Sequence, residues 1–198
     1  MSQVKDLSDF LSDLGSMQWG YIIYRTVYTS ESNELFPLVV QRLEAYMMEG
    51  LRSTYTPSSL RDEEATLALQ VRQQCQNIVI EDREQFDNVT FAQLRAHFQS
   101  YIEDDETGRW ESGGGSKMFV VVDAEVMQSI LSAPAIPQLP SEAQRIQRNR
   151  YYIKIVDPEF ERNAEVWFRE GEWDGSMKAS IFDLWYLWFL ITDEEIVG

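Results

Sequence analysis

The run Trp19-Gly20-Tyr21-Ile22-Ile23-Tyr24-Arg25-Thr26-Val27-Tyr28-Thr29 leaves this chain few choices of fold. Aromatic and β-branched side chains fit a pleated surface, so the segment reads as a β-strand. Gly20 marks its start, and Thr29-Ser30-Glu31-Ser32-Asn33 breaks the pattern at its end. With a period of two, Ile22, Tyr24, Thr26 and Tyr28 share one face, and Tyr21, Ile23, Arg25 and Val27 share the other. Both faces are largely apolar, which suits an interior strand covered on each side. One charge, Arg25, stands in its middle. An unpaired buried charge is strongly destabilising, so Arg25 must find a partner or reach water.

The rest of the chain can support such a core. It has 198 residues, 44% hydrophobic and 13% aromatic, enough for one substantial interior. The aromatic surplus argues against disorder. With 17 basic and 33 acidic residues the net charge is −16, and the acids are spread along the chain. Such a surface repels phosphate backbones and anionic headgroups, so nucleic-acid and membrane partners are not expected. Cys75 is the one cysteine and His97 the one histidine, which leaves no internal disulfide and no zinc or copper site built from nitrogen and sulfur. The N-terminus lacks the apolar core of a signal peptide, and the longest apolar run, Leu184–Ile191, is too short to cross a bilayer. A cytoplasmic protein is the expectation.

Taken in order, Val4, Leu7, Leu11 and Leu14 recur at helical spacing ahead of Gly15, predicting an amphipathic helix over 1–16 before a single α+β domain over 17–198. After the opening strand, Ser32 or Asn33 can cap a helix that carries Pro37 in its first turn and ends near Gly50. A second helix starts at Asp62-Glu63-Glu64 and runs through Cys75. Strands are expected at Asn77–Asp82, Lys117–Val122, Tyr151–Val156 and Ala164–Arg169, with a short one before the last helix, Ile181–Ile191, which is apolar almost all round and is expected to be sandwiched in the core. Thr90 or Asn88 caps a helix with Phe91, Leu94, Phe98, Tyr101 and Ile102 on one stripe, and Asp123 caps another with Val126, Met127, Ile130 and Leu131. The element order predicts an α+β fold: an antiparallel or mixed sheet with helices packed mainly on one face, ferredoxin-like with extra elements.

The chain resembles a widespread group of uncharacterised ascomycete fungal proteins. The likeness rests on Trp19–Tyr28, then Ile80-Glu81-Asp82-Arg83, Leu94-Arg95-Ala96-His97-Phe98, the Phe119–Asp123 strand and the tryptophan-containing C-terminal segment. It spans most of residues 17–190 and implies a fungal, intracellular protein of one domain. The group has no established activity, so the resemblance transfers no functional residue.

Chemistry-bearing motifs are scarce. Glu103–Glu106 and Asp193-Glu194-Glu195 lack the alternating spacing of a calcium loop and read as solvated helix ends. His97 has no Gly-x-Ser-x-Gly elbow to serve and reads as a partly buried histidine beside a core stripe. Gly113-Gly114-Gly115 is followed by Ser116-Lys117, but a strand comes next, so the helix N-terminus of a phosphate loop is missing. No cofactor or metal is therefore predicted, and no catalytic residue.

Two explanations of Arg25 compete. It can form a bidentate bridge to Glu81, Asp82 or Asp123 at the ends of neighbouring strands. Alternatively it lies in a pocket and binds an anionic ligand, with Tyr24, Tyr28, Tyr152 and Asp82 as companion ligand-binding residues. Trp173, at a turn, is the candidate anchor for a partner. The expected function is a non-enzymatic, intracellular protein-binding or scaffold protein with an acidic surface and a protein partner, with homo-oligomers compatible. The alternative is a small-molecule-binding protein or enzyme of ferredoxin-like barrel type with an aromatic/Arg pocket.

Overall fold

A computed structural model describes residues 19–55, 72–105, 117–134, 150–160, 174–188 and 190, with only the backbone over 51–55. The expected helix over 1–16, most of the helix over 62–75, the glycine loop at 113–115, the strand over 164–169 and Trp173 lie outside these residues.

The opening run forms β1 (Ile22–Arg25) and every one of its residues is buried. The chain continues through α1 (Ser30–Tyr55), β2 (Ile78–Ile80), α2 (Arg83–Phe86), α3 (Phe91–Glu103), β3 (Phe119–Val122), α4 (Ala124–Ser132), β4 (Tyr152–Val156) and β5 (Ser176–Ser180). Residues 184–188 are helical again. The five strands form one mixed sheet in the order β2-β1-β3-β4-β5. β1 runs parallel to β2 and to β3, with Ile23 facing Val79 on one side and Val120 on the other. β4 and β5 complete the sheet in antiparallel fashion.

The α+β class and the mixed sheet match the expectation, but the ferredoxin-like refinement does not describe this sheet. In a split β-α-β unit the strand between two parallel strands runs against them. Here β1 lies between β2 and β3 and runs with both. The reason is in the connections: α1 joins β1 to β2, and α2 with α3 joins β2 to β3. These two crossovers return the chain to the same edge, so β1, β2 and β3 point the same way, whereas α4 leads into β4 running against β3.

Helices cover both faces of this sheet. On the Tyr21/Ile23 face, Phe36, Val39, Leu43, Tyr46 and Met47 of α1 meet Val126, Met127 and Ile130 of α4, with Trp185 and Trp188. On the Ile22/Tyr24 face, Phe86 of α2 and Leu94 and Phe98 of α3 close over Phe119 and Val121. The period-two assignment of faces along β1 therefore holds, out to Tyr28, which joins the second cluster. Most helix lies on the first face, yet the second is also sealed, which is what a strand apolar on both sides requires.

Two local details differ from the sequence expectation. α1 is capped by Thr29, whose Oγ1 accepts from Ser32 N at 3.1 Å, and Asn33 N donates to Thr29 O at 3.0 Å. The helix thus starts one turn early, and Pro37 falls inside it, with no N–H to offer the Asn33 carbonyl. The last apolar segment is not enclosed on all sides: Leu184, Trp185 and Trp188 are buried but Tyr186 is exposed.

The start of β1 is tied to the end of the chain. Trp19 packs edge-on against Trp185, with ring centroids 4.9 Å apart, and against Trp188 at 5.4 Å. Trp188 Nε1 donates to Gly20 O at 3.1 Å, and Tyr21 OH donates to Leu184 O at 2.7 Å. Gly20 has φ +145°, and a Cβ there would press on the Gln76 carbonyl, whose carbon lies 2.7 Å from that position. Only glycine fits so close a backbone approach.

Candidate functional site

Parallel strands bring their carboxyl ends to one edge, and in open sheets of this kind ligands bind there, where the crossovers diverge to opposite faces. Between β1 and β3 this chain has such a place, because the crossover after β1 lies on one face and the crossover before β3 lies on the other. Arg25 ends β1, Glu81 and Asp82 follow β2, and Asp123 follows β3. The topology gathers on one edge the very residues proposed as partners for Arg25.

Arg25 is committed within the chain. Its Nη1 donates to Glu81 Oε1 at 2.7 Å, its Nε to Val27 O at 2.8 Å, and its Nη2 to Ser32 Oγ at 3.2 Å and to Asn33 Oδ1. The guanidinium lies 4.6 Å from the Tyr28 ring centroid and 4.5 Å from that of Phe36. Each nitrogen thus has an acceptor, and two aromatic faces enclose the cation. The pair is lopsided: the Arg25 side chain is 7% exposed and that of Glu81 45%. Of the three carboxylates proposed, Glu81 is the one that bridges, and through one oxygen. Asp82 instead caps α2, accepting from Glu84 N and Gln85 N, and the Gln85 backbone bond holds its carboxyl below the usual range.

Tyr28 and Asn88 close the edge. Tyr28 OH donates to Arg25 O at 3.0 Å and accepts from Asp82 N at 2.9 Å, so one hydroxyl links the ends of β1 and β2. Thr26 N donates to Val122 O at 3.0 Å, and Asn88 N donates to Thr26 O at 3.1 Å. Asn88 adopts φ 56°, a left-handed conformation that asparagine tolerates, which lets the turn after α2 reach back over the end of β1.

A second polar group sits where β3 passes into α4. Asp123 caps α4, with its Oδ1 accepting from Val126 N at 2.9 Å, while its other oxygen accepts from Lys154 Nζ. Glu125 accepts from Lys154 Nζ at 2.8 Å, from Lys178 Nζ at 2.7 Å and from Tyr152 OH. These donors, Lys154 foremost, pull the Glu125 carboxyl down to about 2. Burial opposes the charge on Lys154, but Asp123 and Glu125 outweigh it and raise its pKa. A lysine so held is a protonated strut between β4 and α4, not a nucleophile.

The residues proposed for a ligand pocket fall into three separate places. Arg25, Tyr28 and Asp82 meet at the edge just described. Tyr152 belongs to the Glu125 network. Tyr24 points to the other face, where its hydroxyl and His97 Nδ1 share a 2.8 Å hydrogen bond and burial raises its pKa. His97 is ringed by Tyr24, Phe86 and Tyr101. Cys75 is partly buried, and burial pushes its thiol up to about 12.

A cleft of about 640 Å³ opens elsewhere, between the first half of α3 and the turn after β4. Arg95 braces it: Nε donates to Asp157 O at 2.8 Å, Nη2 to Asp174 O at 2.5 Å, and the guanidinium rests 5.0 Å from the Phe160 ring centroid. Gln99 Nε2 adds a bond to Pro158 O at 2.9 Å. Nothing in the sequence marks this place. Arg95 looks like one more solvated charge on a helix, and its acceptors are backbone carbonyls, which no side-chain pattern reveals.

No protein-family model matches the chain, and no curated protein or solved structure is similar to it. Among the described residues no cluster of histidine, cysteine, aspartate and glutamate could hold a metal ion, and no helix is long and apolar enough to cross a membrane.

Proposed function

We propose that this protein is a non-enzymatic protein-binding or scaffold module that acts inside the cell, in the cytoplasm, and offers partners an acidic surface. The observation that carries this reading is the self-satisfied carboxyl edge of the sheet. Where the topology favours a small-molecule crevice, Arg25 is bonded to Glu81, Val27, Ser32 and Asn33, and the Asn88 backbone lies against Thr26. A ligand there would have to displace several short hydrogen bonds and two aromatic contacts. The net charge of −16 instead creates a long-range field, which speeds and selects encounters with basic surfaces.

Affinity capture from a lysate of the source cells tests the proposal. The expected result is a partner retained at low ionic strength and released as salt rises, because exposed charges are screened. Capture of no partner, together with thermal stabilisation by a metabolite fraction that Arg25→Lys removes, would transfer the function to the ligand-binding alternative.

A further inference from the structure

We propose that the cleft between α3 and the turn after β4 is where a partner docks, and that it takes a lysine or arginine side chain from an extended basic segment. The inference rests on the protein-binding reading above and adds a location and a chemistry to it.

The cleft is built before anything enters it. Three side-chain bonds to backbone carbonyls, two from Arg95 and one from Gln99, fix the distance between α3 and the opposing turn. Phe91, Ala92, Ala96 and Pro158 supply an apolar lining suited to the methylene stem of a long basic side chain. At the rim stands Glu159, whose carboxylate has no hydrogen-bond or ion-pair partner among the described residues.

Charge decides the class of occupant. Glu159 and Asp174 line the cleft and Asp157 flanks it, against one cation among the described residues, Arg95. That cation is turned into the wall, where the carbonyls of Asp157 and Asp174 and the Phe160 ring receive it; burial lowers its pKa, an effect the nearby charges of Asp174 and Asp157 oppose. The positive end of α3 is covered in part: the reciprocal capping box of Thr90 and Gln93 satisfies the amides of those two residues and leaves those of Phe91 and Ala92 open. An anion entering would meet the Phe91 and Ala92 amides but also the carboxylates of Glu159, Asp157 and Asp174, whereas an ammonium or guanidinium finds Glu159 unengaged.

Fluorescence anisotropy with a labelled oligolysine peptide at low salt provides the test, with an oligoglutamate peptide as control. Two charge reversals compare sites: Glu159→Lys at the cleft and Glu34→Lys on the exposed side of α1, which packs on the opposite face of the sheet. Both change the net charge equally. Glu159→Lys is expected to weaken oligolysine binding about tenfold, with Glu34→Lys within about twofold of the parent, because a contacting charge counts for more than a distant one. Ala96→Trp, which fills the cleft and leaves the charge alone, should weaken binding as well. Equal losses from the two reversals would overturn the cleft while leaving a diffuse acidic surface in place. Binding of oligoglutamate in preference to oligolysine would overturn the assignment of a cation. No binding of oligolysine by the parent protein would overturn this proposal, while the lysate experiment would still report on partners of other chemistry.

Discussion

Replacing Arg25 by alanine tests the account of the sheet edge most directly. The substitution removes two cation–aromatic contacts, to Tyr28 and Phe36, each worth about 0.5–1 kcal/mol. It also strips donors from Val27 O, Ser32 Oγ and Asn33 Oδ1, at about 1 kcal/mol for each acceptor left without a replacement. Water entering the vacated space recovers part of this, so a net loss of about 3 kcal/mol is expected. Glu81→Ala should be far milder. Its side chain is 45% exposed, and such pairs are screened, so about 0.5–1 kcal/mol is the expected loss. Urea unfolding of the parent, both single variants and the double variant gives a coupling energy, expected below about 1 kcal/mol. If Glu81→Ala is as damaging as Arg25→Ala, with coupling to match, the ion pair and not the aromatic enclosure holds the edge. A loss under about 1 kcal/mol for Arg25→Ala would mean that the guanidinium is solvated, and the whole account of the closed edge would fall.

Gly20→Ala should be severe, at least about 2 kcal/mol, since it combines an unfavourable φ with a collision against the Gln76 carbonyl; thermal unfolding measures it, and an unchanged Tm would contradict the packing of Trp19 to Tyr21. Glu125 carries a pKa lowered from 4.5 to about 2, so its contribution to stability is full above its unfolded value and is lost as pH falls towards 2. Glu125→Gln should therefore flatten the fall in the urea midpoint over that window, and an unaltered pH profile would show that Lys154 and Lys178 do not bind this carboxylate in solution. Cys75, with its thiol pushed up to about 12, should resist a disulfide exchange reagent at mildly alkaline pH in the native state and react once urea unfolds the chain. Fast native-state labelling would place the thiol in water.

Much of the fold was legible because it depends on local pattern. Alternation along Tyr21–Tyr28 assigned each side chain to its face, since successive residues of a strand point in opposite directions whatever the strand pairs with. Thr90 and Asp123 were readable as caps because a cap satisfies amides within three residues of itself. Thr29 was missed in favour of Ser32 or Asn33, which look equally suitable in sequence. Those two side chains are drawn instead to Arg25, a demand set by the end of β1 and invisible in the helix itself. The ferredoxin-like topology failed for a similar reason, because strand order depends on which edge each crossover returns to, and element order alone does not encode that.

What the sequence determined by itself is a doubly covered strand with a charge that needs a partner, in an acidic chain. Burial preference, period and charge are properties of residues and their near neighbours, so they survive being read in one dimension. Only the tertiary structure chose Glu81 among three carboxylates, sent Tyr24 to His97 and Tyr152 to Glu125, and opened a cleft braced by Arg95 against backbone carbonyls. Those choices depend on parallel pairing that brings residues 56 apart in the chain within 2.7 Å, a distance set by the sheet and not by the segment that contains either partner.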